Sequence, residues 1–479
     1  MSAFLARESA VLSRLILSNS CGHALSLRVI PRCHLQRRQA YSSTASSNIL
    51  SLHERGIFSD VFPSHSDGLQ KLLTSSPQCI YCGVDPTADS LHIGNLLALV
   101  ALLHCQRGGH NCIALIGGAT ALIGDPSGKA QEREALQSST VEGNAASIHQ
   151  SLQRVFTNHE RFLWRQQKTL PEIRILNNRD WYQDKNVVQF LGSFGRFFRM
   201  GTMLSRHSVQ TRLASPEGMN FSEFTYQVFQ AYDFFHLHQQ YKCNIQVGGT
   251  DQLGNIMSGH DVIKKVTGKD VYGLTIPLVT SSSGDKLGKS AGNAIWINSN
   301  KTSEFDLYQY FIRLADADVE RYLKLFTFLS LPEIAQLMKA HQAKPEKRMA
   351  QRKLAEQVLL LVHGEEGLLR AQRQTDALYS SEPGTLDQLS EEELMQLFQG
   401  AGLVEMMLEP GLTVYQVGVA AGAIPEGRGV RIIEEGGFYV NHERITNPRE
   451  VLQRGIHILG NNITLIRIGK RNYTLVRWV

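Results

Sequence analysis

Nowhere in its 479 residues does the chain carry an apolar stretch long enough to cross a bilayer. The longest, Leu96 to Leu103, falls short of the ~18 residues a span needs and follows a turn signal, so it reads as buried helix. Charge is thin at 19% while 42% of residues are hydrophobic, which excludes a disordered polyelectrolyte and fits an ordinary globular protein. Cysteine is scarce. The pair Cys79 and Cys82 forms the one C-x-x-C, and Cys105, Cys112 and Cys243 make no second. A zinc site would need two more ligands at suitable spacing, so small buried thiols are the better reading. Internal repeats are absent too. The length alone predicts two to four domains.

What charge there is lies unevenly. Residues 1–47 hold Arg7, Arg14, Arg28, Arg32, Arg37 and Arg38 against Glu8 alone, which accounts for the whole net charge of +5. The segment is Arg-rich, Ser-rich and poor in acids, the composition of a mitochondrial transit peptide, with a disordered basic tail as the alternative. It lacks the clean apolar core of a secretory signal. The last 69 residues, 411–479, carry nine Arg and Lys against five Glu. Basic charge gathered in one small unit is the expected footprint of contacts to a nucleic-acid backbone.

Between about 78 and 280 short apolar runs alternate with longer periodic ones. Cys79–Val84, Cys112–Ile116, Arg174–Leu176 and Ile245–Val247 read as strands. Asn95–Cys105, Phe221–His238 and Leu253–Val266 read as helices. The alternation predicts an α/β fold with a parallel sheet and a ligand site beyond the carboxyl ends of its strands. Residues 301–410 read as a helical domain and linker, with helices at Glu304–Leu314, Val319–Phe328 and Lys347–Val362. Short β-runs at Phe438–Val440, Ile463–Ile468 and Tyr473–Trp478 mark a last α+β unit at 411–479.

Four strings carry chemistry. Tyr81-Cys82-Gly83-Val84-Asp85-Pro86-Thr87 runs into Leu91-His92-Ile93-Gly94-Asn95, so that His92 sits at the start of a helix, where backbone N–H groups and the helix dipole favour anions. Alone, His-Ile-Gly is as well read as a helix cap. Lys286-Leu287-Gly288-Lys289-Ser290 is a doubly basic loop between glycines, able to close on a pyrophosphate or to stand as a solvated turn. Gly124-Asp125-Pro126-Ser127-Gly128-Lys129 fails as a Walker loop, because the glycine spacing is wrong and Ala130 replaces the required Ser or Thr. Tyr226, Gln230 and Asp233 fall at i, i+4 and i+7 on one helix, within a wedge of roughly 60°. Such a stripe is either a solvent face or the wall of a buried site.

In their order along the chain the strings resemble the class I aminoacyl-tRNA synthetases, and Glu223-Phe224-Thr225-Tyr226-Gln227-Val228-Phe229-Gln230-Ala231-Tyr232-Asp233-Phe234 is similar to the amino-acid helix of the tyrosyl branch. The resemblance implies a Rossmann-like catalytic domain over residues 48–300, a helical domain over 301–410 and an S4-like RNA-binding domain over 411–479. The last is matched on Arg431-Ile432-Ile433-Glu434-Glu435-Gly436-Gly437-Phe438-Tyr439-Val440-Asn441. It also implies activation of tyrosine by ATP, transfer to the 3′ end of mitochondrial tRNA(Tyr), Mg²⁺ carried with the ATP and no metal ligands in the protein. A homodimer through Gly195–Leu213 and a place in the mitochondrial matrix follow as well, with no membrane association.

The resemblance also implies residue roles. Tyr81 and Asp233 would hold the phenolic hydroxyl, and Asp125, Tyr226 and Gln230 the ammonium. Gln246 and Gln252 would touch the tyrosine moiety. Gly83, Asp85, His92, Gly94, Asn95, Gly249 and Asp251 would line the nucleotide. The catalytic set would be Thr87, His92, Lys129, Arg133, Lys286 and Lys289. The family usually has His where this chain has Asn95, and Met-Ser where it has Leu287-Gly288. A basic segment from Lys344 to Lys353 either touches tRNA or is a solvated face. A tryptophanyl enzyme, a ligase-inactive RNA-binding or splicing factor, and a small-molecule adenylyltransferase are the rival readings. Tyr81 with Asp233, the retained His92, Lys286, Lys289 and Asp251, and the basic end speak against them in turn.

Overall fold

Five parallel strands and one antiparallel edge strand form the sheet that carries the site, in the order β1–β6–β5–β2–β3–β4. They are β1 (Asp60–Phe62), β2 (Cys79–Val84), β3 (Asn111–Ile116), β4 (Ile173–Asn177), β5 (Cys243–Gly249) and β6 (Tyr272–Ile276). The computed structural model describes residues 49–64, 67–128, 131–278, 289–290, 293–379, 386–398, 402–469 and 472–479. The basic amino-terminal segment, Lys129 and Lys286 lie outside them, and Lys289 is described by its backbone alone.

The sheet is parallel for a reason visible in β3. Cys112-Ile113-Ala114-Leu115-Ile116 is apolar at every position and buried at every position. A strand covered on both faces by helices needs such a run. The covering helices include α1 (Ile93–Arg107), α2 (Phe221–Tyr241) and α3 (Leu253–Thr267). Strands β2, β3 and β4 follow one another outward, whereas β5 and β6 lie on the other side of β2. The chain therefore reverses direction across the sheet beside β2, where α/β folds open a crevice for ligands.

One irregularity sets the register at that crevice. Cys79 faces Cys243, but Ile80 faces Ile245, so Asn244 is an extra residue in β5. The bulge brings Tyr81 opposite Gln246.

Apolar packing crosses two of the expected domain boundaries. The helices Glu304–Ile312, Asp316–Phe326, Leu331–Ala343 and α4 (Met349–Tyr379, broken at Gly364) do not form a separate core. Phe311, Tyr322, Leu354 and Leu361 belong to the same apolar cluster as Ile80, Leu97 and Leu274 of the sheet layer. The Arg55 guanidinium ties the joint by donating to the carbonyls of Lys324, Thr327 and Leu329.

The carboxyl-terminal unit starts earlier than 411. After the short ribbon of β7 (Lys289–Ser290) and β8 (Asn293–Ala294), its sheet runs β11–β10–β12–β13–β9, with β9 (Gly402–Met406), β10 (Phe438–Val440), β11 (Glu443–Ile445), β12 (Ile463–Ile468) and β13 (Asn472–Trp478). Strand β9 pairs parallel with β13. Leu386, Leu389, Leu394 and Phe398 pack under the same sheet with Ile463, Leu465 and Leu475. The expected linker is thus largely part of this unit, while its Ser-Glu-Pro-Gly stretch lies outside the described residues. Among the described residues no helix is long and apolar enough to cross a membrane.

Candidate active site at the carboxyl ends of the strands

A cavity of about 610 Å³ opens where β2, β3, β5 and β6 end. Sixteen residues expected in the site line it. From the first strand and turn come Tyr81, Gly83, Asp85, Thr87, His92, Gly94 and Asn95. Asp125, Arg133, Tyr226, Gln230, Asp233, Gln246, Gly249, Asp251 and Gln252 complete the set. The stripe on α2 is therefore the wall of a buried site: Tyr226 and Asp233 are buried, although Asn220 caps a helix whose first residue, Phe221, is 76% exposed.

Three carboxylates meet there, and each is held by donors. Asp233 accepts from Asn178 Nδ2 and Trp181 Nε1, both at 2.9 Å. Asp85 accepts from the Thr120 hydroxyl at 2.7 Å and the Tyr226 hydroxyl at 2.8 Å. Asp125 accepts from Ser127 N at 3.0 Å and Gln252 Nε2 at 2.7 Å. Burial pushes the Asp233 carboxyl up to about 7, against the pull of those donors. It pushes Asp85 up to about 6, with the Asp125 charge adding to the rise, and it raises Asp125 as well. Three carboxyl groups in one cavity, Asp125 and Asp233 buried and Asp85 partly so, make a site that favours a cation.

Other groups in the cavity lack a protein partner. The Tyr81 hydroxyl and the side-chain carbonyls of Gln230 and Gln246 are buried without a hydrogen bond. Buried polar atoms are rarely left so, and each costs about 1–3 kcal/mol unless a ligand meets it. Tyr81 and Gln246 are register partners on adjacent strands, so two of the three sit side by side.

Several of the expected residues also bond one another. Asp85 faces Tyr226 and Thr120. Gln252 is engaged by Asp125 and by Asn255, whose Nδ2 lies 3.1 Å from Gln252 Oε1, so it orients the carboxylate. Asn95 closes a reciprocal cap with His92: the His92 N–H donates to Asn95 Oδ1 at 3.1 Å, and the Asn95 N–H donates to His92 Nδ1 at 3.2 Å. In the neutral ring that arrangement puts the proton on Nε2. A Cβ at Gly94 would come within 2.8 Å of the His92 ring, so this glycine makes room for the imidazole itself. Arg133 Nε donates to the Asp125 carbonyl at 2.8 Å.

Thr120, Asn178 and Trp181 were not expected from the sequence. The signal for the last two was Asn177-Asn178 followed by Trp181 at the end of β4, a strand end of the parallel sheet that opens on the crevice. Among the described residues no group of three or more His, Cys, Asp and Glu is placed to hold a metal ion.

The chain belongs to the class I tRNA synthetase family of the tryptophan and tyrosine enzymes, whose model matches residues 74–380. Within it the similarity is to the tyrosine branch. The chain is 52% identical to the Drosophila melanogaster mitochondrial tyrosine–tRNA ligase, over 92% of this chain and 96% of that one. Against the Homo sapiens mitochondrial tyrosine–tRNA ligase it is 51% identical, over 92% and 94%. A solved C-terminally truncated mitochondrial tyrosyl-tRNA synthetase of Coccidioides posadasii superposes with a TM-score of 0.61 at 38% identity, covering 68% of this chain and 91% of that one.

Proposed function

We propose that this chain is a mitochondrial tyrosine–tRNA ligase that uses ATP as substrate, working in the matrix. The single observation that carries the choice of amino acid is the floor of the cavity. An unpartnered Tyr81 hydroxyl stands beside a fixed Asp233 carboxylate, which suits a phenol that donates to one and accepts from the other. Phenylalanine would leave the Tyr81 hydroxyl unpaired and offer the Asp233 carboxylate no third donor, the kind of rejection for which tyrosyl enzymes are the standard example.

The remaining groups fall into place around a bound tyrosine. Asp85, Asp125, the Tyr226 hydroxyl and the unpartnered Gln230 carbonyl surround the ammonium. The carboxylate attacks the α-phosphorus of ATP, the bond to the β-phosphate oxygen breaks, and pyrophosphate leaves. Mg²⁺ enters on the phosphates as part of the substrate and neutralises their charge. His92 Nε2–H donates to a phosphate oxygen, and Arg133, Lys129, Lys286 and Lys289 take up charge that grows on the leaving group. Asp251 accepts from the ribose. A terminal ribose hydroxyl of tRNA(Tyr) then attacks the tyrosyl carbonyl and AMP departs. The carboxyl-terminal sheet, net positive over 411–479, is the tRNA-binding unit.

A homodimer completes the reading. Val187, Val188, Leu191 and Met200 are all more than half exposed on the short helices between β4 and α2. Apolar side chains gathered on one segment mark an interface. Amino-acid-dependent ATP–pyrophosphate exchange, run over all twenty amino acids, tests the central proposal: tyrosine alone should support it, and exchange with tryptophan instead would overturn it.

A further inference from the structure

All five cysteines among the described residues are unlinked, and tyrosine activation uses none of them. Two face each other across neighbouring strands. Cys79 opens β2, Cys243 opens β5, and they are register partners. Register partners of parallel strands project to the same face, and here Cys243 sits in the apolar cluster beneath the tyrosine site with Cys79 packed against it. A strand spacing of ~4.8 Å places such a pair inside the ~4.4–6.8 Å range of Cα separations that a disulfide spans. The Cys243 sulfur lies 3.4 Å from the Cys79 carbonyl oxygen.

The two thiols are unequal. Cys79 is the one cysteine among the described residues that is not buried; the other four are. A hydrogen bond from Cys243 holds the Cys79 thiol below its ordinary pKa, burial opposes this, and the Arg174 guanidinium adds to the lowering. Burial drives Cys243 the other way. A reachable thiol with thiolate character beside a second, sheltered thiol is the arrangement that reacts with peroxides and then resolves to a disulfide.

We propose that Cys79 and Cys243 form a reversible oxidative modification site, closed as a disulfide by hydrogen peroxide. The Cys79 thiolate attacks one peroxide oxygen, the O–O bond breaks, and the other oxygen leaves as water after taking a proton. The sulfenic acid so formed on Cys79 is attacked by the Cys243 sulfur. The S–O bond breaks, and the departing hydroxide leaves as water with the Cys243 proton. Two thiols and one peroxide give one disulfide and two waters.

The site is not remote from function. Cys79 with Cys243, and Tyr81 with Gln246, are successive pairs on the same face, separated by the bulge at Asn244. A bond drawn across the first pair shifts the second, which carries two of the three unpartnered groups of the tyrosine pocket. Oxidation therefore weakens tyrosine binding more than it slows chemistry. This consequence rests on the tyrosine reading; the disulfide does not.

The test uses the full chain, reduced and then titrated with hydrogen peroxide. Alkylation and non-reducing mass spectrometry follow, with pyrophosphate exchange measured in parallel. The expected result is a mass lower by two hydrogens and one linked peptide pair containing Cys79 and Cys243. The KM for tyrosine should rise about three- to tenfold with a smaller change in kcat, and a dithiol should reverse both. Cys79→Ser should keep the basal rate and lose the peroxide response. Sulfinic acid on Cys79 with Cys243 still a free thiol, or a link to another cysteine, would overturn the site. A linked protein with unchanged KM would overturn the coupling to the pocket. Absence of tyrosine-dependent exchange in the reduced protein would overturn the functional reading instead.

Discussion

Asp233 shows how far a single side chain depends on neighbours that its own helix does not supply. Its carboxylate takes both donors from the turn after β4, Asn178 and Trp181. Asp233→Asn and Tyr81→Phe should each lower the preference for tyrosine over phenylalanine, measured as the ratio of exchange kcat/KM values. Trp181→Phe, which removes one donor and keeps the ring, should do so by a smaller factor, on the order of tenfold or less. Unchanged ratios in all three would remove the phenol assignment. The raised carboxyls also set a pH dependence. Asp233 near 7 and Asp85 near 6 both lie above an ordinary aspartate, so the unliganded fold binds more protons there than the unfolded chain. Its stability should rise as pH falls through these values, and the gain should shrink in Asp85→Asn. Tyrosine binding has the opposite sign, because an ammonium needs the anions. The KM for tyrosine should climb as pH drops from about 8 to about 6, and a flat profile would separate the carboxylates from the ammonium. The stripe Tyr226, Gln230, Asp233 was legible in the sequence as a wedge on one helix. Its partners were not, because Thr120, Asn178 and Trp181 come from other strand ends that only the sheet order brings near.

Elements were read well where one covalent feature fixes them. Strand β2 has the expected bounds, since Pro86 and the turn before His92 end it, and β10 and β12 also match. Strand β9 and the helix Leu331–Ala343 were missed for opposite reasons. Half-exposed β9 has little apolar pattern of its own and exists because β13 offers it an edge. The helix starts at Ser330 with Glu333 in a reciprocal cap, a start signal that the sequence carries between two stronger periodic runs. The same device operates at α1 with different residues. There Asn95, where relatives of the family usually have His, serves His92 as a cap partner. Asn95→Ala should cost about 1 kcal/mol in thermal or denaturant stability and should slow adenylate formation more than it raises the KM for tyrosine. Loss of stability with an unchanged single-turnover rate would confine Asn95 to the helix end.

At the scale of the whole molecule the apolar clusters define what can be cut. One cluster runs from Ile49 through the sheet to Ala371, so the helices between residues 304 and 371 cannot be detached from the catalytic sheet. A second and a third sit under the carboxyl-terminal sheet, and the third reaches back through Leu386 to Ala377. A chain ending at 410 would keep β9 without β13 and leave Leu386, Leu389, Leu394 and Phe398 without the strands they pack on. A chain ending at Tyr379 removes the unit whole, breaking the packing of Ala377 and Leu378, the Arg373–Glu393 ion pair and the bond of His442 to the Ala377 carbonyl. The 1–379 chain should therefore keep pyrophosphate exchange within about threefold of the full chain and a single cooperative melt. The 1–410 chain should melt lower or aggregate. Both should lose most tRNA charging. Full-length protein should bind tRNA with an affinity that falls steeply with salt, and the 1–379 chain should show a flatter slope as phosphate contacts are lost. Full charging by a stably folded 1–379 chain would overturn the RNA-binding role of this end, because every group placed at the tyrosine and ATP sites lies before residue 291 and nothing else would then have been removed.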